Sequence, residues 1–130
     1  MVEYRAPLIP SPRIVNCDWG KIQIEGHGTM SQDVKLFPGG ASVWDWGKSS
    51  MRHKSGIRTK DVLELLEHGA KVIILATGYH ERVKVQEETI TFLKEHQVQV
   101  HIVKNDLAVI MYNNLAEQGR PVGALIHTCC

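Results

Sequence analysis

The sequence predicts an α/β fold of three layers, with a mixed central β-sheet, helices packed on it and a β-rich N-terminal part. From residue 59 onward, helix-like and strand-like segments alternate with short links, as in a sheet covered by helices. Residues 21–25 and 33–37 alternate apolar and polar side chains with the two-residue period of strands. A chain of 130 residues with 43% apolar side chains can bury a core without metals or disulfides. We therefore expect a single globular domain over residues 14–130.

The N-terminal segment is expected to contain a flexible arm followed by a hairpin. Residues 1–13 include three prolines and show no apolar period, which is typical of a flexible terminus. Residues 14–17 and 21–25 are short β-type runs, and the Asp-Trp-Gly sequence between them supplies a turn. The two runs therefore predict an antiparallel pair.

A third strand over residues 33–37 leads into the stretch "LFPGGASVWDWG". Proline lacks an N–H donor, so the strand should end at Pro-Gly-Gly, and a long loop is expected to about residue 58. In extended chain, Trp44 and Trp46 project to one side and Asp45 to the other. Either the two indoles close an apolar edge of the sheet, or one stays exposed and anchors a partner.

The first helix and the central strand follow this loop. Thr59 is placed to cap a helix, and Gly69 stands where a left-handed C-terminal residue is favoured. The helix should bury the apolar face formed by Val62, Leu65 and Leu66. Residues 71–76, "KVIILA", are apolar on both faces and predict a strand covered on both sides.

The C-terminal half continues the alternation. Residues 86–96 predict a second helix, and residues 98–103 a half-buried strand. Asn105 is expected to cap a third helix that Gly119 ends. The run "PVGALIHT", residues 121–128, predicts the last strand.

Composition excludes several functional classes. The 15 Lys and Arg residues balance 14 Asp and Glu residues, so no net field draws the chain to nucleic acid. Apolar runs reach only about five residues, whereas a membrane span needs about twenty. The start of the chain has no signal-like apolar segment, so a cytoplasmic location is expected. Three cysteines form no even disulfide framework and are expected to be reduced.

A set of residues distributed along the chain resembles one small domain family. The set comprises Trp19-Gly20, the run "DVKLFPGG" at residues 33–40, Trp44-Asp45-Trp46, His53, Gly56, Asp61-Val62, Tyr112-Asn113 and His127-Thr128-Cys129. It is similar to the family of the adipogenesis-associated domain-containing protein of animals. The similarity covers about residues 15–129, and the spacing from Pro-Gly-Gly to Trp-Asp-Trp is its most specific part.

This resemblance implies a three-layer fold around a mixed sheet. For the cytosolic animal branch it implies a role in preadipocyte differentiation and adipogenesis without an established enzyme activity. The family also has archaeal and bacterial single-domain relatives, and a distant mitochondrial relative that helps to assemble respiratory complex I. Only about a dozen residues precede the domain, so the cytosolic branch is the expectation. One departure is the tripeptide Ala76-Thr77-Gly78, where relatives often have glycine at both ends.

The basic stretch from residue 48 to residue 60 contains one family-matched histidine, His53. The stretch has no interleaved aromatic residues, so a solvated loop is favoured over a nucleic-acid site. His53 could face Asp45 across the loop and hold it closed, or could act as a general base.

Gly78 and Tyr79 follow the central strand, where ligands of open α/β sheets bind. Gly78 could present backbone N–H groups to an anion, but the glycine-rich nucleotide motifs are absent, so a simple turn is favoured. A cleft for a small molecule would require Asp45, His53, Gly78 and Tyr79 to converge.

The C-terminal "HTCC" raises the question of a reactive thiol. In a strand, His127 and Cys129 share a face with backbones about 6.6 Å apart, which is long for direct activation of Cys129. Packing of this thiol is favoured over reactivity. The ligand spacing of a zinc site is missing, so neither a metal nor any other cofactor is expected.

Together these observations predict a non-enzymatic cytoplasmic interaction or regulatory protein. Its partners would be proteins, nucleic acid and membrane are not expected, and a homo-oligomer is left open. One alternative is a small-molecule-binding protein or enzyme that uses a cleft near Asp45, His53 and Gly78. A second alternative, from the resemblance alone, is a respiratory complex I assembly factor.

Overall fold

The computed structural model describes residues 9–44, 56–80 and 83–128. Within them the strands are β1 (Ile14–Asp18), β2 (Lys21–Ile24), β3 (Gly28–Met30), β4 (Val34–Phe37), β5 (Gly40–Val43), β6 (Val72–Ala76), β7 (Gln99–Val103) and β8 (Val122–Ile126). The helices are α1 (Thr59–Glu67), α2 (Glu87–Glu95) and α3 (Asn105–Glu117).

The strands form two sheets. A small antiparallel sheet has the order β1-β2-β3, and the main sheet has the order β5-β4-β8-β6-β7. Strand β6 runs parallel to both β7 and β8, whereas β4 is antiparallel to β8 and β5. The predicted mixed sheet and the predicted N-terminal hairpin are therefore confirmed.

Two apolar cores lie on opposite faces of the main sheet. All five residues of β6 are buried, so each of its faces needs a cover. Its Val72, Ile74 and Ala76 pack in the core that includes β1, β2 and α3. Its Ile73 and Leu75 pack in the other core, with α1 and α2. The layers are therefore two helices, the sheet, and a third layer made of α3 and the small sheet.

Several predicted boundaries are wrong. The loop expected after residue 38 contains β5, because Gly39 takes a φ of 98° and turns the chain back so that Gly40 pairs with Phe37. Strand β3 was not predicted, since three residues are too few to show a period. Neither expected helix cap holds the capping position, which Arg58 and Lys104 occupy instead.

The end of the expected N-terminal arm is held against the domain. The Ser11 hydroxyl donates to the carbonyl of Val122 at 2.7 Å, and Tyr112 donates to the carbonyl of Pro12 at 2.7 Å. These bonds satisfy polar groups that the core would otherwise leave unpaired, and the flexibility of the arm stays a prediction. Residues 1–8 lie outside the described residues.

Among the helices that the structure describes, none has the length and apolar character needed to cross a bilayer.

Gly123 of β8 provides a test of this packing. A methyl group there would meet Leu65 Cδ2 at 3.0 Å and the Leu36 carbonyl oxygen at 3.1 Å. We expect Gly123→Ala to lower the free energy of unfolding by about 1–3 kcal/mol, as overpacking does. Denaturant unfolding measures this value. In a Leu65→Ala background the cost should fall without vanishing, because the carbonyl contact remains; strictly additive costs would contradict this assignment.

Candidate functional site

The topology of the main sheet places a crevice at the carboxyl ends of β6 and β7. Strand β6 leads to α2 on one face of the sheet, and β7 leads to α3 on the other. Where neighbouring parallel strands send their connections to opposite faces, their ends separate and leave a ligand-sized gap. Hydrogen bonds from Thr77 N to Val103 O (2.9 Å) and from Asn105 N to Gly78 O (3.1 Å) join the two connections at this point.

A crevice of about 310 Å³ occupies this position. Strand β1 forms one wall, the start of α3 forms the other, and Tyr79 enters from the end of β6. The lining residues are Ile14, Val15, Asn16, Cys17, Tyr79, Asn105, Asp106, Val109 and Asn113. The crevice thus combines an apolar wall with a small group of polar side chains, as ligand sites commonly do.

Cys17 and Tyr79 share a hydrogen bond, with 3.4 Å between the sulfur and the hydroxyl oxygen. Burial raises the pKa of the Cys17 thiol; the Tyr79 hydrogen bond opposes this, and the negative charges of Asp18 and Asp106 add to it. Burial, and then the bond to Cys17, raises the pKa of Tyr79 as well. Both groups therefore stay protonated at neutral pH. A thiol in this state is a poor nucleophile.

Asn105, the first residue of α3, is fully buried beside this pair. Its amide Nδ2 donates to the carbonyl of His127, at the end of β8. The Asn105 amide is close enough to Tyr79 to lower the pKa of that hydroxyl. Its Oδ1, however, has no partner in hydrogen-bonding geometry among the described residues. An acceptor with unused capacity therefore lies at the base of the crevice.

Behind Asn105, an acidic side chain fastens the end of β8 to the start of β4. Asp33 Oδ2 accepts from Nδ1 of His127 at 3.0 Å. Its Oδ1 accepts from the backbone N–H of Thr128 at 2.8 Å and from the Thr128 hydroxyl at 3.2 Å. The indole of Trp44 covers the imidazole, with 4.9 Å between ring centroids. The imidazole is 1% exposed, so this cluster is sealed from solvent.

Of the site residues predicted from the sequence, the structure describes Trp44, Gly78 and Tyr79. Trp44 is 3% exposed and its Nε1 donates to Asp61 at 3.3 Å, so it is a core residue and offers no anchor. Gly78 is buried with a φ of 90°, and it contributes a carbonyl acceptor to Asn105 N rather than N–H groups to an anion. Tyr79 does line the crevice.

The remaining candidates cannot be placed. Asp45, Trp46, His53 and Cys129 lie outside the described residues. The pairing of Asp45 with His53, the cleft that they would share with Gly78, and the activation of Cys129 therefore stay predictions. In the part of the chain that the structure describes, no group of three His, Cys, Asp or Glu side chains converges on a metal position.

The site residues that the sequence analysis missed are Trp19, Cys17, Asn105 and Asp33. Trp19 is 61% exposed, and its ring centroid lies 5.7 Å from that of Tyr79 and 5.7 Å from that of His80. A signal existed for two of them, since Trp19 and Asp33 belong to the residues that carry the family resemblance. Residues 15–19 and 79–80 are far apart in sequence, so their meeting could not be inferred from spacing.

The model of the family described as "Protein of unknown function (DUF498/DUF598)" matches residues 14–127. The chain belongs to this family. Among solved structures, this DUF498/DUF598 domain is similar to a conserved hypothetical protein from Pyrococcus horikoshii OT3, with a TM-score of 0.77 and 17% identity over 91% of this chain and 99% of that one.

Two further solved structures are similar to this domain. A Mth938-like domain of Bordetella pertussis has a TM-score of 0.68 and 16% identity, over 98% of this chain and 91% of that one. The protein MT938 has a TM-score of 0.69 and 22% identity, over 92% of this chain and all of that one, 100%. At these identities the comparison shows the fold. The narrower assignment to the adipogenesis-associated branch stays a prediction.

Replacing Asp33 in this DUF498/DUF598 domain tests the buried cluster of Asp33, His127 and Thr128 that Trp44 covers. Asp33→Ala leaves the imidazole of His127 and the N–H of Thr128 without their acceptor, so we expect the free energy of unfolding to fall by about 3 kcal/mol. Asp18→Ala, which removes an exposed carboxylate from the small sheet, is the control and should change stability by less than about 1 kcal/mol. Equal effects of the two changes would show that the cluster carries no special stability.

The protonated state of Cys17 predicts slow alkylation. In a chain with Cys129 and Cys130 changed to serine, Cys17 should react with iodoacetamide more slowly at pH 8 than a free thiol, because its raised pKa leaves less thiolate. Tyr79→Phe should slow the reaction further, since the Tyr79 hydrogen bond lowers the pKa of Cys17. Mass spectrometry across pH 7–10 follows the reaction. If the rate reaches half of its maximum at a lower pH than for a free thiol, the pKa of Cys17 is not raised and the prediction is wrong.

Proposed function

We propose that this chain is a non-enzymatic interaction or regulatory protein of the cytoplasm, and that it contacts a partner protein through the rim of the crevice. We use this term for Trp19, Tyr79 and His80, whose rings lie against one another beside the crevice. The observation that supports this most is the exposure of Trp19. An indole that is 61% exposed gains little from its own fold, whereas tryptophan is enriched among the residues that dominate binding energy at interfaces. Tyr79 and His80 flank it and hold it in place.

The chemistry of the described side chains supports a role without turnover. The Cys17 thiol stays protonated because burial raises its pKa. The most enzyme-like pair, Asp33 with His127, is engaged in fastening two strands and is sealed under Trp44. A general base must reach a substrate, and an imidazole that is 1% exposed does not.

The biological role that we propose is the one implied by the family resemblance, a contribution to preadipocyte differentiation and adipogenesis. Membership of the DUF498/DUF598 family is compatible with it. The resemblance associates assembly of respiratory complex I with a distant relative. Affinity capture of partner proteins, described below, distinguishes this role. Assembly requires that subunits or intermediates of that complex be among the recovered partners.

A second candidate function is the binding of a small molecule in the crevice. The unused acceptor Oδ1 of Asn105, at the base of a gap of about 310 Å³, favours it. A buried polar atom without a partner is uncommon in stable proteins, and a bound ligand or water supplies the missing bond.

Affinity capture from a whole-cell lysate, which contains cytosolic and mitochondrial proteins, tests the proposed function. The bait is the wild-type chain, a Trp19→Ala variant, or a Leu63→Ala variant, and the recovered proteins are quantified by mass spectrometry. Leu63 is 42% exposed on α1, in the opposite layer, and so is a matched apolar control. We expect at least one partner to fall about tenfold with Trp19→Ala and to stay unchanged with Leu63→Ala. Identical partner lists for the three baits would refute the role of the rim.

A further inference from the structure

We propose that the crevice beside Trp19 binds an organic cation, an alkylammonium or guanidinium group. This rests on the proposed function and deepens it, because the source of the cation is either a lysine or arginine side chain of a partner protein or a free amine. The proposal follows from the hydrogen-bonding capacity, the aromatic surface, the charge and the size of the crevice.

The unused hydrogen-bonding capacity of the crevice consists of acceptors. Asn105 Oδ1 is buried and has no partner among the described residues, and the carboxylate of Asp106 is exposed on the first turn of α3. The amide of Asn113 is already occupied, because it exchanges two hydrogen bonds of 2.8 Å with the backbone of Ile14. A ligand that pairs with these groups must donate hydrogen bonds, as ammonium and guanidinium groups do, and it reaches the enclosed Oδ1 of Asn105 only when a lining side chain moves aside.

The rim adds an aromatic surface. The indole of Trp19 and the ring of Tyr79 lie 5.7 Å apart at 35° to one another, and Tyr79 extends into the crevice. The negative face of an aromatic ring attracts a cation held within about 6 Å, and tryptophan is the most effective ring for this purpose. A cation in the crevice would therefore lie among the residues that include Tyr79 and Asp106, and Trp19 packs against Tyr79.

The local charge is negative. Asp18 and Asp106 both act on Cys17 through space, although only Asp106 lines the crevice. None of the described residues that line it is basic. The amino end of α3 by itself would favour an anion, but Asp106 places a carboxylate on that first turn and opposes anion binding.

The size and the apolar wall fit a short alkyl chain. Ile14, Val15 and Val109 line the crevice, and its volume of about 310 Å³ lies at the lower end of the range for small-molecule sites. A four-carbon chain with a terminal charge would place its methylene groups against this wall and its charged end near Asn105 and Asp106. Lysine has this form.

Titrations of isotope-labelled protein, followed by NMR, test the proposal. The probes are n-butylammonium and its neutral counterpart n-butanol, at constant ionic strength. We expect the side-chain amide signal of Asn105 and the indole N–H signal of Trp19 to shift with the amine and not with the alcohol. Equal shifts with both probes, or no shift with either, would overturn the proposal.

Variants show which groups bind the cation. Asp106→Asn should weaken amine binding about fivefold, the effect of roughly 1 kcal/mol for a solvent-exposed charge, and Asp106→Glu should retain it. Trp19→Ala should weaken binding about threefold. Glu67→Gln, which removes the same charge from the end of α1, should leave binding unchanged. If Asp106→Asn and Glu67→Gln have equal effects, the attraction is general and the site is not the one proposed.

Peptides separate the two sources of the cation. The probes are acetylated and amidated tripeptides with lysine, arginine or norleucine between two alanines. Binding of the basic peptides at least as tightly as n-butylammonium supports a partner side chain, whereas binding of the amine alone supports a free small molecule. If no cation binds while partner capture still depends on Trp19, the cation site is refuted and the interaction role survives.

Discussion

The structure depends on one constraint: the central strand β6 has no face toward solvent. Its side chains Val72 to Ala76 are all buried, so helices or the small sheet must cover the main sheet on both sides. Because α2 follows β6 and α3 follows β7, covering both faces sends the two connections in opposite directions. The crevice at the strand ends is a consequence of burying the sheet. The side chains of β1, Tyr79 and α3 that line the crevice decide its chemistry.

Asn105 links the crevice to the core. It is the first residue of α3, and its Nδ2 donates to the carbonyl of His127 at the end of β8, which Asp33 fastens to β4. Burying an amide costs free energy unless it is hydrogen-bonded, and here only half of the amide is satisfied within the described residues. A residue with only a structural role would be expected to have both its amide nitrogen and its amide oxygen hydrogen-bonded. In the proposed cation binding, this unpaired oxygen is the acceptor, and the protonated side chains of Tyr79 and Cys17 lie beside it.

The fold could be predicted well from local patterns, and the site could not. Strand β6 and helix α1 were predicted correctly because a continuous apolar run and a helical apolar period are both visible over a few residues. Strand β5 was missed because its pairing depends on the turn at Gly39, and β3 because it is short. Asn105 was expected to cap its helix, which is its usual local role, but Lys104 holds the capping position, and Asn105 Nδ2 donates to a carbonyl more than twenty positions away. Trp19 was treated as a turn residue, and its aromatic neighbours come from a distant segment.

The sequence by itself determined the class of the fold, the order of most of its strands and helices, and the absence of a strong net charge, because these follow from periodicity and composition. It also contained the residues of a family pattern, without showing why they belong together. Only the tertiary structure decided which of them meet: Asp33 with His127, Trp44 with the core, and Trp19 with Tyr79 at the crevice. The physical reason is that hydrogen bonds and ring contacts between distant segments depend on strand order and on the face that each helix covers, and neither is encoded in local spacing.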